Sequence, residues 1–180
     1  MLKITIPELE MFDERTNEFV LIKGQTLTLE HSLVSISKWE SIYHKAFLGR
    51  EKKTFDETVA YIKCMTLTQN VDSRLYFGLT NLNIDEVNAY LENSMTATTF
   101  SNLNRRSFSR EIVTSELIYY WMFSLGIPKE CEKWHLNRLL TLIRIFNVKG
   151  DKPRKMSARE LAARNTSLNE ARRKALHSKG

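Results

Sequence analysis

The chain has 180 residues, 42% hydrophobic and 10% aromatic, which predicts one core-bearing domain with an appendage. No run of about 18 uncharged apolar residues occurs, so no membrane span is expected, and the opening Met1–Pro7 lacks the apolar segment of a signal peptide. Cys64 and Cys131 are too few for a disulfide framework and fit a reducing cytosol. The formal charge of +6 belongs to residues 151–180, where nine Lys/Arg meet three acids, leaving 18 of the 27 basic and 18 of the 21 acidic residues in 1–150. Long-range attraction to nucleic acid or to an acidic partner therefore acts through the tail.

Residues 1–31 predict a small antiparallel sheet of about three strands. Leu2–Ile6 alternates, Phe19–Ile22 follows a polar turn at Asp13–Asn17, and Lys23-Gly24 turns the chain into the alternating Gln25–Glu30. Ser37-Lys-Trp-Glu40 has the capping-box form, in which a hydroxyl and a carboxylate satisfy free donors of a first helical turn; it predicts a helix from Lys38 to Phe47, ended by Gly49. Thr54-Phe-Asp-Glu57 opens a second helix to about Met65 with Phe55, Val59 and Ile62 inward. Ser73–Phe77 makes one turn stopped by Gly78, and Asn83-Ile-Asp-Glu86 opens a helix with Ile84, Val87 and Leu91 on one side. Met95–Arg110 reads as a long polar loop whose Arg105, Arg106 and Arg110 either meet an anion or are simply solvated.

The densest apolar stretch runs from Glu111 to Phe146. Ile112, Val113, Leu117, Ile118, Trp121 and Leu125 follow a helical rhythm, Gly126 suits a left-handed helix end, and Pro128 suits the start of the next helix. Cys131, Trp134, Leu139, Leu142, Ile143, Ile145 and Phe146 then mark a second helix, and a link of about three residues implies an αα-hairpin. Between Leu136 and Phe146 the apolar residues cover more than one packing face needs, so this helix is either central or half given to a partner. The fold class is therefore α+β, mainly α: a globular domain over 1–150 (sheet 1–31, helices 38–147) and a basic, helix-prone arm over 151–180. In the arm, Ser157…Glu160 and Ser167…Glu170 predict a pair of short helices or one interrupted helix. Leu161, Leu168 and Leu176 are too thin a stripe to bury a core.

No motif carries catalytic chemistry. There is no Gly-x-Ser-x-Gly, no glycine-rich phosphate loop and no His-Glu-x-x-His, so no enzyme activity and no cofactor are expected. Cys131 and His135, at i and i+4 on the predicted helix, are either two metal ligands or a buried thiol beside Trp134 with an aromatic-flanked histidine. No further Cys/His pair stands at ligand spacing, so no metal is expected. Glu40 beside Trp39 is accounted for as a capping acid. Lys152, Arg154, Lys155 and Arg172-Arg173-Lys174 suit phosphates without reading bases, but the arm has no aromatic stacker, so it reads first as a protein-docking or solvated segment.

Thr28–Ser41, Tyr61–Thr66, Ser115–Met122, Trp134–Ile143, Lys155–Asn165 and the closing Leu-Asn-Glu-Ala-Arg-Arg-Lys resemble the tail assembly chaperone family of long-tailed bacteriophages, over nearly the whole chain. The resemblance implies a binding function: holding the long, apolar, helical tape measure protein soluble while tail-tube subunits polymerise around it. It implies the tape measure and other tail proteins as partners, possible self-association, and the host cytoplasm during assembly as location. It also implies a short and a frameshifted longer form. The residues expected to meet a partner are Trp121, Trp134, Leu139, Leu142 and Phe146 of the hairpin, with Arg172, Arg173 and Lys174 of the arm. The alternatives are a virion component of the head–tail or tail region, and a basic-armed nucleic-acid-binding protein.

Overall fold

The first 29 residues form one long antiparallel ribbon. In the computed structural model, which describes residues 1–14, 17–100, 112–150 and 158–176, β1 (Leu2–Ile6) pairs with β4 (Gln25–Leu29) and β2 (Leu9–Asp13) with β3 (Glu18–Ile22). Partner numbers add to 31 in both ladders, from Leu2↔Leu29 to Asp13↔Glu18, so the ladders share one register. They break where Pro7-Glu8 faces Lys23-Gly24. Pro7 has no N–H to give the ladder. A Cβ on Gly24 would lie 2.8 Å from Glu8 N and 2.9 Å from Ile6 O, so the backbones come too close there for any side chain. Lys23-Gly24 is thus a break in the ribbon and not a hairpin turn, and four strands in two ladders replace the expected three. The turn at Asp13–Asn17 is the ribbon's tip, with Asn17 left-handed (φ 56°) and its N–H donating to Asp13 O at 2.8 Å.

Helix α1 spans Leu33–Tyr43, starting five residues before the expected Lys38. Its box is built by Ser32, whose Oγ accepts from the Ser35 N–H at 3.3 Å, while Ser35 Oγ accepts from the Ser32 N–H at 3.0 Å. The helix stops at His44, left-handed at φ 52°, and not at Gly49. Helix α2 (Phe55–Met65) opens with the Thr54/Glu57 box and buries Ile62 with Val59 half-buried, as the pattern predicts. Phe55 is exposed instead, because at the first helical position it stands a turn ahead of Val59. Ser73–Gly78 is a 3-10 helix, and α3 (Asn81–Glu92) starts two residues before Asn83. Thr80 is its cap, and Asn83 supplies the reciprocal bond to the Thr80 N–H at 3.2 Å.

Helix α4 (Ser115–Ser124) ends at left-handed Gly126 (φ 66°), as read from the sequence. A 3-10 helix (Lys129–Lys133) follows Pro128, and α5 (Leu136–Gly150) begins only afterwards. The link is longer than three residues because Trp134 is extended, Ser32 and His135 form an isolated β-bridge, and the Leu136 N–H donates to His31 O at 2.7 Å. The principal helix neighbour of α4 is α1, which also packs on α2.

The core gathers Ile4, Ile6, Leu27 and Leu29 from the ribbon, Leu33, Ile36 and Trp39 from α1, Ile62 and Met65 from α2, and Ile118, Met122 and Leu139 further along. Each such Leu or Ile contributes roughly 1.5–3 kcal/mol on burial. The chain divides into two compact units, Met1–Phe146 and Asn147–Gly180, the division falling within α5. The second unit carries α6 (Ala158–Leu176), one continuous 19-residue helix where a pair or an interrupted helix was expected. Ala162, Ala163, Ala171 and Ala175 favour propagation through Ser167, so its capping signature finds no free donors to satisfy. Arg105, Arg106 and Arg110 lie outside the described residues.

Candidate functional site

The residues expected to meet a partner divide by depth. Leu139 is fully buried in the core, and Trp121, Trp134 and Leu142 are partly buried and packed against it. Trp134 offers its face to the Arg138 guanidinium, 4.2 Å from the ring centroid. Phe146 is exposed. Arg172, Arg173 and Lys174 stand exposed on α6, within the second unit. Leu139 therefore has no area to offer a partner, and of these five residues Phe146 alone is exposed, at 40%.

The larger apolar surface lies on the outer side of α4. Ile118 and Met122 point into the core while Tyr120 and Phe123, on the opposite side, are 65% and 64% exposed. Phe123 stacks on Tyr119 (centroids 6.3 Å apart, planes 19° apart), and Tyr119 donates through its hydroxyl to Glu132 at 3.0 Å. Burial, with Glu132 second, pushes the Tyr119 phenol up to about 12, so the hydroxyl keeps its proton and remains the donor that ties α4 to the following 3-10 helix. Helical periodicity alone did not mark this face, since a helix apolar on both sides gives no amphipathic contrast.

What fixes α4 in place is Glu40. Its carboxylate is buried and accepts from the Ser115 N–H at 2.8 Å and from the Phe47 N–H at 2.7 Å. One oxygen thus caps the start of α4, a favourable place for negative charge, and the other ties down the loop after α1. The Ser115 hydroxyl beside it is the one buried side-chain polar atom among the described residues without a hydrogen-bond partner. The expected capping role of Glu40 in its own helix is corrected: it caps a helix 75 positions away.

A second buried polar group joins the helices. His31 Nδ1 lies 2.6 Å from the Tyr61 hydroxyl, which lies 3.2 Å from Ser35 Oγ. The His135 ring meets His31 edge-on, centroids 5.0 Å apart. Its Nδ1 accepts from the Asn137 N–H at 3.3 Å, so its Nε2 carries the proton and donates to Tyr90 O at 3.1 Å. The Tyr90 hydroxyl donates to Glu30 at 2.8 Å. Burial chiefly, then His135 and Lys53, lower His31 to about 3, and burial also lowers His135. Burial raises the Tyr61 and Tyr90 phenols. Both histidines are therefore neutral near neutrality. With both ring nitrogens of His135 engaged and Cys131 on the separate 3-10 helix, the i, i+4 pairing with Cys131 is not formed. No group of three or more potential metal-binding side chains occurs among the described residues.

Beside Tyr61 a groove of about 440 Å³ is lined by Phe47, Lys53, Tyr61, Ile62, Val87 and Leu91, among others. Lys53 is spent on the fold: its ammonium donates to Phe47 O at 2.8 Å and sits 4.0 Å from the Phe47 ring centroid. Comparison with protein-family models, with curated proteins and with solved structures found no match. No described helix is long and apolar enough to cross a membrane.

Proposed function

We propose that this chain is a non-enzymatic tail assembly chaperone of a long-tailed phage, which binds the apolar helical tape measure protein and keeps it soluble during tail morphogenesis. The observation that supports this reading is α4, a helix apolar on both sides, one side built into the core and the other presenting Tyr120 and Phe123 to solvent. Exposed aromatics on a helix held by a buried carboxylate suit recognition of a client helix through anchors one turn apart. The buried polar group at His31 and His135 ties α1, α2 and α3 together and leaves the α4 surface to the aromatics.

The test is a paired substitution, Tyr120→Ser with Phe123→Ser. Both side chains are solvent-exposed, so stability should stay within about 0.5 kcal/mol of the parent. Capture of co-expressed tape measure protein should fall at least about tenfold, as for loss of interface hot spots. Undiminished capture by a folded double variant would remove α4 from the client surface.

A further inference from the structure

The distal half of the ribbon carries an apolar face that the chain leaves open. On its outer side Phe12, Phe19 and Leu21 are 48%, 69% and 60% exposed, with Glu10 directly across from Leu21. Phe12 and Phe19 are cross-strand partners whose rings meet edge to face, centroids 5.2 Å apart. The charge of this segment is mainly negative: residues 8–18 contain Glu8, Glu10, Asp13, Glu14 and Glu18 against Arg15, a net −4, with Glu10 and Glu14 at the outer-face parity of Phe12. That rim opposes a second copy of the same face, since like charges brought together at an interface repel. It suits a basic partner with a few apolar side chains.

The chain itself carries such a segment. Every described side chain of α6 is exposed, residues 151–180 hold a net +6, and Leu168 and Leu176 stand out among the polar residues. Eight helical positions span ~12 Å, within the ~17 Å of a five-residue strand. Each surface is exposed and the two carry opposite charge, which suits them to each other across two copies. We propose that α6 of one copy docks on the outer β2–β3 face of another. Leu168 and Leu176 cover Phe12, Phe19 and Leu21, and Arg172, Arg173 and Lys174 meet the Glu10 and Glu14 carboxylates, which share the outer parity of Phe12. The contact is head-to-tail, so it propagates into rings or open chains of copies. It stands independently of the client reading above.

The test uses the full chain. Light scattering should show self-association at about 50 mM salt that weakens toward about 500 mM, where surface charges are screened. Two charge-reversed variants, Glu10→Lys/Glu14→Lys and Arg172→Glu/Arg173→Glu/Lys174→Glu, should each be monomeric while melting like the parent, and should associate again when mixed. Carbodiimide coupling of an equal mixture of light and 15N-labelled parent chains should yield mixed-isotope peptides joining an arm lysine to Glu10 or Glu14. That readout needs no variant to fold. A parent that stays monomeric, reversals that leave association unchanged, failure of the mixed variants to recombine, or cross-links confined to a single isotope would each overturn the proposal. None of these outcomes depends on a client.

Discussion

His31 is a residue whose chemistry and packing conflict below neutrality. Its folded value of about 3 lies beneath the ordinary 6.5 of an exposed histidine, so the unfolded chain binds the proton more readily. Stability contributed by the neutral ring is complete above about pH 6.5 and is lost as pH falls toward 3. Between pH 7 and pH 5.5, above the range where carboxylates titrate, His31 alone should cost roughly 1 kcal/mol, and His135 acts in the same direction. Urea midpoints at the two pH values measure this, and His31→Gln should flatten the dependence. An equally steep dependence in that variant would assign the protons elsewhere. Glu40 is the other decisive side chain. Glu40→Ala strands the Phe47 and Ser115 amides and should cost roughly 2–5 kcal/mol, with Glu40→Gln, which keeps one acceptor, losing less. A change within about 0.5 kcal/mol for the alanine variant, with unchanged slope in denaturant, would contradict the clamp.

At the scale of elements, the ribbon break gives a sharp contrast between two glycines. Gly24→Ala presses a Cβ into the Glu8 and Ile6 backbone and should destabilise by about 2 kcal/mol or more, because strands must separate. Gly150→Ala, at the end of α5 with nothing within 4 Å of the added atom, should be neutral or gain up to about 1 kcal/mol. Denaturation midpoints of the two variants check the contrast. The same elements show what a sequence makes legible. The Thr54/Glu57 box and the Gly126 helix end depend on neighbours a few positions away, and both were readable. Ser37…Glu40 has the same local form as Thr54…Glu57 yet caps nothing in α1, because the Glu40 carboxylate is taken by amides at positions 47 and 115. The pairing of β1 with β4 across the whole ribbon, and the meeting of His31 with His135, depend on contacts far apart in sequence. No local pattern announces them. The candidate site was legible only in part. Apolar density pointed to the right stretch, 111–146, but Leu139 is core, and the exposed aromatics Tyr120 and Phe123 belong to the first helix of that stretch.

Across the whole molecule, charge and apolar surface are partitioned between two units. The unit Met1–Phe146 holds the core and the exposed aromatic side of α4, while Asn147–Gly180 holds all of the excess positive charge. In the proposed function these are different roles: α4 for the client, the arm for another copy. Losing the arm should therefore disturb assembly of copies more than capture of client by each one. Deletion of 158–176 should leave the thermal midpoint of the first unit within a few degrees, as expected for removal of a segment that buries none of its described side chains. A collapse in the midpoint would show that the first unit depends on the arm.

The central claim is that the chain keeps an apolar helical client soluble. The most direct measurement is co-expression with the tape measure protein of the same phage, followed by capture and mass determination of the soluble complex. The account predicts tape measure protein in the soluble fraction only when this chain is present, bound to it in defined copy number. Tape measure protein that precipitates equally with and without the chain would contradict it.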